Sequence, residues 1–178
     1  MSFLRNAACL CVAVGIALCV VTTSIHGQVA EPPQAVVEKY CFLDGQGANF
    51  GASNPNAKAA FDLLINEDEA GYDTSVIVKS YRIGKVIAGK ESANVEVIYA
   101  VLGTLGGGFH AKRSTHPETV TFHLTLIGNS WKIDGLRIRP HITQAWILSK
   151  LRHSLAADEK AGKHDSPLKA ANAEISQW

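Results

Sequence analysis

The chain is 178 residues long and nearly balanced in charge, with 17 lysines and arginines against 16 aspartates and glutamates. That balance argues against nucleic acid as a partner and against recognition of a strongly charged protein. Cys9, Cys11, Cys19 and Cys41 are the four cysteines, and three of them fall in the first 20 residues.

Those first residues read as a leader. Arg5 supplies a positive start, and Ala7 to Val21 is an uncharged apolar run of about 15 residues. That is shorter than the roughly 20 residues a membrane-spanning helix needs and fits the apolar core of a secretory signal. Thr22, Thr23, Ser24, Gly27 and Ala30 follow, so cleavage is expected between Ser24 and Ala30. Residues 1–30 are therefore assigned to a signal peptide, with export as the expected destination and no stable membrane span after cleavage. Removing Arg5 leaves 16 residues of each charge, and only Cys41 remains of the cysteines. No disulfide can then form within the mature chain, and Cys41, inside an apolar helical pattern, reads as a buried thiol. The remaining stretch of about 150 residues is the usual size of one domain. It divides into a folded part, 31–153, and a polar stretch, 154–178, expected to be a helical extension or a disordered tail.

Pro33 fits the first turn of a helix carrying Val36, Val37, Tyr40, Leu43 and Asp44 at three- and four-residue spacing. Gly45, Gly47 and Gly51 weaken its end. Asn54-Pro55 is expected to restart helix, with Asn54 as N-cap and Ala57, Ala60, Phe61, Leu64 and Ile65 as the apolar stripe. Val76 to Val86 reads as a strand with Gly84 at a bulge. Ala93, Val95, Val97, Tyr99 and Val101 alternate with Asn94, Glu96 and Ile98, the period of a half-buried strand. Four glycines and Pro117 make 103–118 a predicted mobile loop.

A hairpin follows, turning at Gly128-Asn129. Its register sets Leu126 against Trp131, Leu124 against Ile133 and His123 against Asp134. Val120, Phe122, Leu124, Leu126, Trp131 and Ile133 form a core face, and the threonines, His123, Lys132 and Asp134 form the other. After Pro140-His141, Thr143 caps a last helix holding Trp146, Ile147, Leu148 and Leu151.

Two helices, then antiparallel strands ending in Gly128-Asn129-Ser130-Trp131-Lys132-Ile133-Asp134-Gly135, resemble the NTF2-like superfamily. Val36-Val37-Glu38-Lys39-Tyr40-Cys41-Phe42-Leu43-Asp44 looks like its long first helix, and the resemblance spans about residues 33–142. It implies an α+β fold: N-terminal helices packed on a strongly curved antiparallel sheet, a cone, with the C-terminal helix as an extra. It also implies a cavity between helix and sheet. The superfamily holds enzymes and non-catalytic binding modules, so fold alone does not choose.

Tyr40 and Asp44 share one helix face and are the candidate catalytic pair. Tyr40 would donate to a ligand oxygen, and Asp44, its pKa raised by an apolar surround, would act as base. The competing reading has Asp44 cap or solvate the helix end while Tyr40 packs. Tyr99, Phe122, Trp131 and Trp146 complete the expected pocket. His123 and Asp134 could orient an imidazole, but on the threonine face they read as a surface pair. His110, His116 and His123 match no zinc spacing, and Gly106-Gly107-Gly108 lacks the lysine of a phosphate loop, so no metal or cofactor is expected. Arg137, Arg139, His141, Lys150 and Arg152 could recognise a carboxylate or phosphate, though a solvated face is favoured. The function expected is a non-catalytic ligand-binding or accessory module, with a small apolar molecule as ligand. One alternative is a lyase, isomerase or hydrolase using Asp44. A second is a protein-interaction domain acting as a homodimer through its threonine-rich sheet face.

Overall fold

A computed structural model describes residues 30–50, 53–65, 72–134 and 138–178; the expected leader lies outside them, apart from Ala30. In chain order the elements are α1 (Pro33–Gly45), α2 (Ala57–Phe61), β1 (Thr74–Ala88), β2 (Ser92–Gly106), β3 (His110–Arg113), β4 (Glu118–Ile127), β5 (Ser130–Ile133), β6 (His141–Thr143), α3 (Gln144–Lys160) and α4 (Pro167–Ile175). The class is α+β. The strands run in the order β5-β4-β2-β1-β6, with β3 also on β2, in a strongly curled half-barrel.

The curl has a local cause. β1 and β2 are both 15 residues long and pair antiparallel, but their register shifts three times, at Ile77/Val78, Val78/Ser80 and Ile83/Val86. Each slip bends the strand and increases its twist. The last falls at Gly84, where the bulge was expected. α1 lies in the concavity. Val37, Tyr40 and Cys41 from its inner face pack with Val95, Val97, Tyr99, Phe122, Leu124, Trp131 and Ile133. Burying a side chain such as Phe122 fully contributes roughly 1.5–3 kcal/mol. The β4–β5 hairpin has the register its alternation predicts, with Leu126 opposite Trp131 and Leu124 opposite Ile133.

The sheet departs from expectation at one edge. It is mixed, not wholly antiparallel: His141, Ile142 and Thr143 form β6, parallel to Val76, Ile77 and Val78. A second apolar layer covers the convex face there, with Ile77, Leu105 and Ile142 packing against Ile147, Leu151, Leu168, Ala171 and Ile175. Two covered faces explain why Ser75 to Val78 is buried without alternation.

Two further corrections follow from packing. Residues 103–118 are not one loop, because β2 continues to Gly106 and β3 pairs back on it from Arg113 to His110. Asn54 is not the N-cap of α2. Its Oδ1 accepts from the Asn56 amide at 2.9 Å, and Asn56 takes the cap position of a helix that ends at Phe61. Within 154–178, the stretch read as a helical extension or a disordered tail, α3 runs to Lys160 and α4 buries Leu168, Ala171 and Ile175. Thr143 does cap α3, accepting from the Trp146 amide at 3.3 Å. Among the described residues no helix is long and apolar enough to cross a membrane.

Candidate functional site

The last two turns of α1 carry Tyr40 and Asp44 on the face turned to the sheet, as their four-residue spacing requires. Asp44 is 0% exposed, so neither bulk water nor an internal cavity reaches it. Both of its oxygens are engaged. Oδ1 accepts from Asn49 Nδ2 at 2.9 Å, and Oδ2 accepts from the backbone amide of His141 at 2.8 Å. The Asn49 amide also donates to the Tyr40 hydroxyl at 2.9 Å. Burial pushes the Asp44 carboxyl up to about 7, against the pull of the His141 amide and the Asn49 side chain. Burial raises Tyr40 too, with the Asp44 charge adding to it.

A second set of polar groups continues from the first. The Tyr99 ring stacks on His141 with centroids 4.0 Å apart and planes 17° from parallel. The Tyr99 hydroxyl and the Cys41 sulfur are 3.2 Å apart. Burial pushes the Cys41 thiol up to about 12, which makes it inert as a nucleophile near neutrality. His141 is 1% exposed, yet Nδ1 and Nε2 have no hydrogen-bond partner. The nearest carboxylate oxygen, Glu118 Oε1, is 3.6 Å from Nε2. Burial lowers the His141 pKa, so the ring is held neutral despite Glu118. Each buried, unsatisfied polar atom costs about 1–3 kcal/mol.

Of the residues expected to form a pocket, Tyr40, Tyr99, Phe122 and Trp131 do share one core with α1. Tyr40 and Phe122 meet edge to face at 5.6 Å. Trp146 does not join them. It packs with the convex-side cluster, 5.3 Å from Phe50 and with Lys150 above its ring, because α3 begins only after the chain has left the concave face through β6. His123 does not pair with Asp134 through its side chain. Its Nδ1 lies 2.7 Å from Asn94 Oδ1 on β2, and it meets Asp134 only through the backbone, where the Asp134 amide donates to the His123 carbonyl at 2.8 Å.

Asn49, Glu118 and the buried role of His141 were not foreseen. Asn49 follows a glycine-marked helix end, where a polar side chain folding back to cap is an available signal. The His141 amide has none, being main chain. Among the described residues no cluster of three His, Cys, Asp or Glu is arranged to hold a metal ion. Comparison with family models, curated proteins and solved structures gives no match.

Proposed function

We propose that this chain is an exported domain of the NTF2-like type that works as a non-catalytic ligand-binding or accessory module. The apolar leader supports export. The curl of the sheet around α1 supports the superfamily. The observation that carries the non-catalytic reading is the state of Asp44: no exposed surface, and both carboxylate oxygens already accepting hydrogen bonds. A general base must lie within hydrogen-bond reach of the proton it takes, and this one is spent on holding α1 to β6. The enzyme alternative rests on the raised pKa of the same group, and would require Asn49 to swing away.

The experiment is a thermal-denaturation screen of the purified protein against small molecules, with Asp44→Asn in parallel. A ligand of the native state raises the midpoint with its concentration, and is expected to do so in both proteins without being consumed. Turnover in the native protein that Asp44→Asn abolishes would replace this reading by the enzymatic one.

A further inference from the structure

β3 and β4 lie along the same edge of β2: β3 pairs with Gly103–Gly106, and β4 pairs with residues 92–99. The chain crosses between them at residues 114–117, and the Ser114 amide donates to the Leu102 carbonyl at 2.9 Å. A groove of about 550 Å³ opens at this gap, floored by Val76 and Val101. That volume lies within the range of small-molecule sites, roughly 300–1,000 Å³. It is on the concave face. Val76 is paired with Thr104 and with His141, and Thr104 with Lys112, so these side chains share the side of the sheet that holds α1. The groove is thus the mouth of the half-barrel, with the Tyr99–His141 stack just inside it.

We infer that this groove binds a small organic acid through one carboxylate, held by Arg139 and Lys112 and exchanged against the Glu118 side chain. The inference rests on the ligand-binding reading above and gives it a place and a chemistry. Three observations carry it. Among the described residues the fixed charges lining the groove are Lys112, Arg139 and Glu118, and two cations against one anion leave a single positive charge for a monoanion to balance. Arg139 stands 3.5 Å from Glu118, and both side chains are partly exposed. That is looser than a charge-assisted fork at about 2.7–2.9 Å, so an incoming carboxylate can take the guanidinium. Glu118 has a second partner waiting, because the buried Nε2 of His141 is 3.6 Å away and has no hydrogen bond. With the acid on Arg139, Glu118 closes on Nε2 in the tautomer that carries its proton there, so its charge keeps a partner. Thr104 and Ser114 offer hydroxyls to the rest of the ligand.

The test is a titration of ¹⁵N-labelled protein, followed by NMR, with acetate and benzoate, with the uncharged acetamide and benzamide, and with inorganic phosphate. The acids are expected to cause saturable shifts at the amides of Thr104, Lys112, Ser114 and Arg139, together with the ring resonances of His141. Affinity is expected to fall by about tenfold or more for the uncharged probes and for Arg139→Gln, with partial loss in Arg139→Lys. If acids and amides bind the groove equally, the carboxylate inference is wrong while the ligand-binding reading stands. If phosphate binds tighter than either acid, the charge argument is wrong. If no probe gives saturable shifts at the groove, the inference and the reading beneath it both fail.

Discussion

The backbone amide of His141 donates to Asp44 Oδ2 at 2.8 Å, joining residues 97 positions apart. Two residues on, Thr143 Oγ1 donates to the Gly45 carbonyl at 3.0 Å. The C-terminal end of α1 is therefore fastened to β6 twice, once through a buried carboxyl and once through a hydroxyl that also caps α3. The fastening puts two titratable groups with opposite shifts, Asp44 and His141, in adjacent positions of one core.

Their effects on stability should oppose each other. Asp44 is raised to about 7 in the folded state from about 3.8. Its contribution is fully present below the unfolded value and is lost as pH rises through 7, because the folded state holds the proton longer. His141 is lowered by burial. As pH falls below about 6.5 the unfolded chain takes up its proton first, so that contribution shrinks toward acid. Urea denaturation between pH 4 and 8 should show a shallow profile for the native protein. Asp44→Asn should leave a stability that rises with pH, and His141→Phe one that falls with pH. The argument fails if the two variants give parallel profiles.

At one pH, truncating Asp44 and replacing His141 should differ in size. Asp44→Ala strands the buried His141 amide and takes one acceptor from the half-buried Asn49, which keeps Tyr40, and is expected to cost about 2–4 kcal/mol. His141→Phe keeps the stack on Tyr99, leaves the backbone amide on Asp44 and removes two unpartnered nitrogens. It should cost under about 1 kcal/mol or stabilise. A large loss in His141→Phe would mean that the imidazole is hydrogen-bonded in solution.

The parts of this arrangement that local patterning controls were legible in the sequence. Ala93 to Val101 alternates because one face of β2 is buried, and the β4–β5 register follows from a two-residue turn. The helix of Tyr40 and Asp44 follows from apolar spacing. β6 was not legible: three residues after a proline carry no period, and their partners Val76 to Val78 lie far back in the chain. Gly103 and Gly106 suggested a loop, but Gly103 is a strand residue. A Cβ there would come within 2.5 Å of the Lys112 carbonyl oxygen and 2.6 Å of the Trp178 ring, so that glycine marks close approach, not mobility. The buried state of Asp44 depends on a main-chain donor, and the Arg139-Pro140-His141 stretch looked solvated because its pairing with β1 is not local.

Gly47 closes the end of α1 with φ at +75°, and a Cβ there would sit 2.2 Å from the Trp146 ring. Gly162 has nearly the same φ, +74°, with nothing within 4 Å of its Cβ position. Gly162→Ala should cost about 1 kcal/mol for the backbone alone. Gly47→Ala should cost about 2–4 kcal/mol, the excess coming from displacement of Trp146. Chemical denaturation of the two variants separates the terms, and equal losses would show that Trp146 moves aside freely. Quenching of Trp146 fluorescence by acrylamide should increase only in Gly47→Ala.

Cys41 should be silent toward thiol reagents in the native state. It is buried, its sulfur is 3.2 Å from the Tyr99 hydroxyl, and burial holds the thiol up at about 12. Labelling by a disulfide reagent is expected to proceed only through opening of the α1–sheet core, so its rate should rise with urea in step with global unfolding. Fast labelling without denaturant would mean that α1 leaves the sheet locally, and would reopen the concave core as a place for a ligand.

The tail supplies the last test. α4 turns Leu168, Ala171 and Ile175 onto the convex face, and Gln144 Nε2 donates to the Ile175 carbonyl at 2.8 Å. Ile175 is fully buried, so Ile175→Ala should cost about 2–4 kcal/mol. Lys169→Ala, on the exposed side of the same helix, should be neutral within about 0.5 kcal/mol. A tail that only frayed into solvent would make both changes neutral. A loss at Ile175 alone shows instead that residues far beyond the last strand complete the second layer of the sheet, where Ile77, Leu105 and Ile142 would otherwise face water. The doubly covered β1–β6 edge, and with it the position of His141 behind the groove, then depends on the last helix of the chain.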